Sequence, residues 1–179
     1  MTKRIFGIAA TLVLCLILMP GTAEALSVKV AGKELEDGNY NLENGKVATS
    51  TAAEDNYHIH FEQDSGALTL NRAEITAETN EPGILFTYES NDERAILNLI
   101  GQNTISGGGT TSYVINSKGA SGNIPSSSAD IEALLTINGQ DNGSLTATGT
   151  AWGIQAYNLT IGGVSLDMTT GGHSALNIG

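Results

Sequence analysis

The chain has 179 residues, with 19 acidic and 8 basic side chains, a net charge of −11, 22 Gly, 3 Pro and one Cys. Charged residues are 15% of it, against roughly 25% in an ordinary globular protein, while Thr, Asn and Ser number 19, 15 and 14. So few Lys and Arg exclude a nucleic-acid binder, which needs clustered cations for phosphate; the missing Ala/Glu/Lys/Leu periodicity excludes a helical bundle, and 40% hydrophobic residues exclude full disorder.

Residues 1–25 have the layout of a secretory signal peptide. Lys3 and Arg4 form a positive start, Ile5 to Met19 an apolar run, Pro20-Gly21 a break, and Ala23-Glu24-Ala25 a small-x-small cleavage site. The 15-residue run is short of the roughly 20 needed to span a bilayer. A lipoprotein anchor at Cys15 is disfavoured by Leu14, where a small residue is required. Cleavage after Ala25 takes 25 residues from 179 and leaves 154, with 18 acidic and 6 basic groups and no Cys. The expectation is a secreted or cell-surface protein with no membrane span after cleavage. Packing and ladder hydrogen bonds, rather than disulfides, must hold it together.

Residues 26–47 are expected to form an N-terminal cap of strands and turns. Ser27-Val-Lys-Val30 alternates, and Asp37-Gly38 and Asn44-Gly45 mark turns. From residue 48 to 179 short period-2 runs recur without a helical period. Ile59 and Phe61 alternate with His58, His60 and Glu62, which places the imidazoles and Glu62 outside.

Four runs resemble one another: Gly66-Ala-Leu-Thr-Leu-Asn71, Ala95-Ile-Leu-Asn-Leu-Ile100, Ala133-Leu-Leu-Thr-Ile-Asn138 and Tyr157-Asn-Leu-Thr-Ile-Gly162. Aligned on Leu68, Leu97, Leu135 and Leu159, they are 29, 38 and 24 residues apart. A loop insertion at 117–130 accounts for the long interval. Each run has a short strand before it (Tyr57–Glu62, Ile84–Tyr88, Ser112–Asn116, Gly153–Ala156) and one after it (Glu74–Ala77, Thr104–Ser106, Ser144–Thr148, Val164–Thr169). Three short strands per repeat is the arithmetic of a β-solenoid, whose stacked coils share one core. The expected fold is all-β, a right-handed parallel β-helix of about four to five coils. A β-sandwich is the alternative. Asn71, Asn98 and Asn138, at or just after the L-x-L core, are candidates for an asparagine stack.

The phrases Leu134-Leu-Thr-Ile-Asn-Gly139, Gly143-Ser-Leu-Thr-Ala-Thr-Gly149 and Asn158-Leu-Thr-Ile-Gly-Gly-Val-Ser-Leu-Asp-Met168 resemble the secreted bacterial carbohydrate-binding proteins built as right-handed parallel β-helices. Trp152-Gly153-Ile154 fits the same pattern. The resemblance spans roughly residues 55–179. It implies a pectate-lyase-like but non-catalytic fold that binds plant or cell-wall polysaccharide, in some members acidic sugar with calcium.

Candidate chemistry is sparse. The aromatics in or beside the repeat strands, Tyr88, Tyr113, Trp152 and Tyr157, are candidates to stack on sugar rings if they face outward. Residues 26–94 hold 14 acidic and 5 basic side chains, against 4 and 1 in 95–179. Glu62 with Asp64, and Glu89 with Asp92 and Glu93, are oxygen-ligand clusters that would suit calcium; surface solubility is the competing reading. His-x-His-x-Glu at 58–62 is a weaker metal candidate. No lyase signature surrounds Arg72 or Arg94, and Asp130, Asp141 and Asp167 show no paired-carboxylate motif. The leading functional expectation is a non-catalytic polysaccharide-binding module. An adhesin-like stalk is the rival, and a fragment of a pectate-lyase-like enzyme is third. Aromatics aligned across coils and facing outward favour the first; a plain Thr/Asn face favours the second. The last run, Leu176 and Ile178, restarts a coil without a polar cap. The β-helix is therefore expected to be incomplete at its C-terminus, with further coils or a wall anchor missing, or a partner chain pairing there.

Overall fold

The computed structural model describes residues 26–89, 93–119 and 134–178. The expected signal peptide and most of the expected insertion at 117–130 lie outside them. The described residues form thirteen strands and the chain is all-β. Among them, no helix is long and apolar enough to cross a membrane.

The N-terminal strands pair antiparallel. β1 (Ser27–Val30) forms a hairpin with β2 (Lys33–Glu34) and turns Val28 and Val30 fully inward. β3 (Gly38–Glu43) and β4 (Lys46–Thr51) are joined by Asn44-Gly45. Both of these residues have positive φ (53° and 77°), the twist-matched geometry of a two-residue hairpin. β5 (Ile59–Glu62) lies antiparallel between β3 and β6 (Ala67–Asn71), with Ile59 opposite Tyr40 on one side and Leu70 on the other. Ile59 and Phe61 are buried and Glu62 is exposed, as their alternation requires.

From β6 onward the chain stacks in parallel. β6 is followed by β7 (Glu74–Ala77) and β8 (Ile84–Tyr88). β9 (Arg94–Gly119) then pairs with all three in turn: 96–100 beside β6, 104–107 beside β7 and 115–119 beside β8. β10 (Leu134–Ala156) lies parallel on β9 along its length. β11 (Asn158–Gly162), β12 (Ser165–Thr169) and β13 (Leu176–Ile178) lie parallel on β10. The result is four parallel layers of three segments, within a sheet made mixed by the antiparallel β1–β8 and β5–β6 pairs. Parallel pairing thus begins at Ala67, and Tyr57–Glu62 belongs to the antiparallel strands rather than to a layer.

Strand alternation turns three apolar columns inward. Leu68, Leu97, Ile137 and Ile161 stack in one. Ile75, Ile105, Ala147 and Met168 stack in the second. Ile84, Ile115, Ile154 and Leu176 stack in the third. The first three members of every column are buried. The registers correct one alignment: Leu97 pairs with Ile137, and Leu135 pairs with Ala95. A shift of two residues keeps every side chain on its own face, so the apolar pattern cannot detect it. The register found sets Asn98 level with Asn138, whose Nδ2 lies 3.4 Å from Asn98 Oδ1. Asn71 is level with Ile100 instead, and its amide is spent on Tyr57 O and the Arg72 guanidinium.

Candidate ligand groove

The four aromatic candidates separate into two pairs. Tyr88 ends β8 with its ring in the core. Its hydroxyl accepts a hydrogen bond from Ser117 Oγ at 2.7 Å. Burial pushes the phenol up to about 12; the Ser117 bond opposes this and the Glu93 charge adds to it. Tyr157 is also buried, and burial raises its phenol against the opposing effect of a hydrogen bond with the Gly119 backbone. Tyr88 and Tyr157 thus fail the condition of facing outward and are corrected to core residues. Tyr88 follows the inward alternation of β8, and Tyr157 lies between β10 and β11.

Tyr113 and Trp152 are half-buried and paired in register across β9 and β10. Their ring centroids are 5.8 Å apart at an interplanar angle of 26°. His173, before β13, lies on Trp152 from the following layer, with centroids 4.1 Å apart and planes 16° from parallel. The three rings make a ladder along the stacking direction, with Trp152 covered on both faces. Gly153 sets this approach. A side chain there would collide with the Ala175 carbonyl, and that carbonyl accepts the Ile154 N–H at 2.8 Å. His173 is further fixed by Thr170, whose Oγ1 donates to His173 O at 2.6 Å.

A groove of about 510 Å³ opens beside the ladder. Gly109, Gly149 and Gly171 line it from three successive layers, with Ala151, Thr169, Thr170 and His173. Gly109 and Gly149 have positive φ (73° and 83°). The corner there bends with backbone, rather than side chains, turned to the groove. His173 is the one titratable side chain in this lining. Sequence reading names Tyr113 and Trp152 but misses His173 and the groove, because both arise where a loop folds back over an earlier layer.

The carboxylates suited to calcium do not gather here. Glu62 Oε2 accepts the Ser65 hydroxyl at 2.6 Å, at the turn between β5 and β6. Glu93 Oε2 accepts the Glu89 N–H at 2.7 Å, spanning the β8–β9 connection. Asp64 is exposed and Asp92 lies outside the described residues. Among the described residues no group of three or more His, Cys, Asp or Glu side chains is placed to hold a metal. His58 and His60 are tied to neighbouring β3: His58 Nδ1 accepts the Leu42 N–H at 3.3 Å, and His60 Nδ1 is 2.7 Å from Asn39 Oδ1.

One buried polar residue holds the stack together. Asn103 is almost fully buried. Its Oδ1 accepts the Ala73 N–H from the preceding layer at 2.9 Å, and its Nδ2 donates to Gly101 O in its own turn and Ser144 O in the next, at 3.1 and 3.2 Å. It satisfies backbone groups that the corner would otherwise bury unpaired. Comparison with protein-family models, curated proteins and solved structures finds no match.

Proposed function

We propose that this chain is a section of right-handed parallel β-helix, akin to the non-catalytic carbohydrate-binding β-helix proteins its repeats resemble. On this reading it is exported, stays secreted or surface-held, and binds polysaccharide in the groove beside Trp152. The parallel layers and their three apolar columns support the fold, since a sandwich of antiparallel sheets would not pair β9 with β10 in this way. One observation carries the function: His173 both closes the aromatic ladder and lines the groove. A ligand seated there touches the His173 ring, threonine hydroxyls and open backbone together. About 510 Å³ is within the usual size of a small-ligand site. Among the described residues the lining offers no second titratable group to His173 with which to form an acid–base pair.

The rival reading, a stalk whose layers only set spacing, is favoured by the covered faces of Trp152. Rings stacked on one another pack the layers and leave edges, not faces, for a sugar. Retention of the purified protein on a panel of plant and cell-wall polysaccharides separates the two. Binding that weakens in His173→Ala supports the groove; a blank panel supports the stalk.

A further inference from the structure

We infer that the groove takes a neutral glycan chain, laid along the stacking direction and held without a metal ion. This rests on the polysaccharide reading above and names the class of sugar.

Charge is the first consideration. Among the described residues, the groove lining contains no Asp, Glu, Lys or Arg. The last Lys or Arg of the chain is Lys118, and the described layers after it carry two carboxylates, Asp141 and Asp167. A polyuronate would therefore meet no Lys or Arg here and a weak repulsion from the carboxylates. The carboxylates that could recruit calcium, Glu62, Asp64, Glu89 and Glu93, belong to the β5–β6 turn and the β8–β9 connection, and none lines the groove. A calcium bridge to an acidic sugar has no protein ligands at this place.

The groove chemistry fits hydroxyl groups instead. Gly149 and Gly171 are exposed, so their backbone faces the groove without side-chain cover. Thr169 is exposed, and Thr170 keeps acceptor capacity on the oxygen that donates to His173. Of the ladder, His173 lines the groove, and its ring nitrogens can exchange hydrogen bonds with hydroxyl groups. Direction follows from the layers. Gly109, Gly149 and Gly171 advance one layer at a time, as do Tyr113, Trp152 and His173. Layers are roughly 4.8 Å apart, comparable to the advance per ring in an extended sugar chain.

Trp152 is the one tryptophan in the chain and its own reporter. Its fluorescence is followed while the protein is titrated with cellohexaose, xylohexaose and mannohexaose, and separately with hexagalacturonate, each with calcium or with chelator and at low and high salt. The expected result is a saturable change with at least one neutral oligosaccharide, unmoved by chelator or salt. Thr169→Val and His173→Ala, at exposed positions and checked for fold by circular dichroism, should each weaken it about tenfold, a loss of about 1.4 kcal/mol. Response to hexagalacturonate alone, or a response that needs calcium, overturns the neutral-glycan inference and leaves the polysaccharide reading standing. Neutral binding that both variants leave unchanged overturns the groove assignment. Silence in every arm, with no retention on the polysaccharide panel, overturns both.

Discussion

Leu68 and Leu70 in β6 are fully buried, whereas in β11 Ile161, which shares the column of Leu68, is exposed and Leu159 is half-buried. The two strands read Ala-Leu-Thr-Leu-Asn and Asn-Leu-Thr-Ile-Gly, so their own patterns do not explain the difference. Their neighbours do. In the first layer β6 is covered by β5 and β8 by β1, while the Thr76 N–H of β7 donates to Gly45 O in the β3–β4 turn at 2.8 Å. In the last layer β11, β12 and β13 each pair, among the described residues, with β10 alone. Ile161, Leu176 and Ile178 stand 42%, 46% and 50% exposed there. In a stack the alternation chooses which face is apolar, and adjacent layers decide how far that face is buried.

Core truncation at the two ends should differ most. Phe86→Ala in β8, beneath β1, is expected to cost about 3–5 kcal/mol. Urea unfolding measures it, and a cost near that of a surface change would mean that β1 does not seal this layer. Asn103→Ala should cost about 2–3 kcal/mol, because it strips partners from buried backbone groups of three layers. Hydrogen exchange at Ala73 should rise with it, and unchanged protection there would refute the bridge.

Alkaline titration probes the covered end from within. An unfolded chain ionises Tyr88 near 10, whereas the fold keeps its proton to about 12. The raised value means that stability is full below pH ~10 and falls as pH climbs toward 12, by about 2–3 kcal/mol in all. Tyrosinate absorbance should show a late-ionising phenol near pH 12 that Tyr88→Phe removes, with Tyr157 also raised. The smallest effect belongs to the open end: Ile178→Ala should change stability by no more than about 0.5 kcal/mol. A loss of several times that would show that the last layer is covered in solution.

Alternation is a local property, so the strands were legible in the sequence: Ile59 and Phe61, Ile84 and Phe86, Leu135 and Ile137 all face as their spacing indicates. Register was less legible, because Leu97 satisfies the same face opposite Leu135 or Ile137. The Asn98–Asn138 contact distinguishes them only once both strands are placed. Asn103 carried no visible signal, since its three attachments come from residues 30 and 41 positions away as well as its own turn. The groove was hidden for a similar reason: Gly109, Gly149 and Gly171 look like ordinary turn residues until stacking brings them together. Tyr88 went inward because it continues the alternation of Ile84 and Phe86, and Tyr157 because it shares the face of Leu159 and Ile161 at the start of the next strand.

The ladder between β9 and β10 also sets how the molecule responds to force. Its hydrogen bonds run from layer to layer, slanted but evenly spaced along each strand. Tension applied along the stacking direction loads an interface from one end, so bonds rupture a few at a time and layers peel off singly. Tension applied along the strands must break a whole row of bonds at once and drag each apolar column past its neighbours. The protein should thus be compliant to peeling and resistant to shear, and its resistance to rupture would depend on where it is gripped.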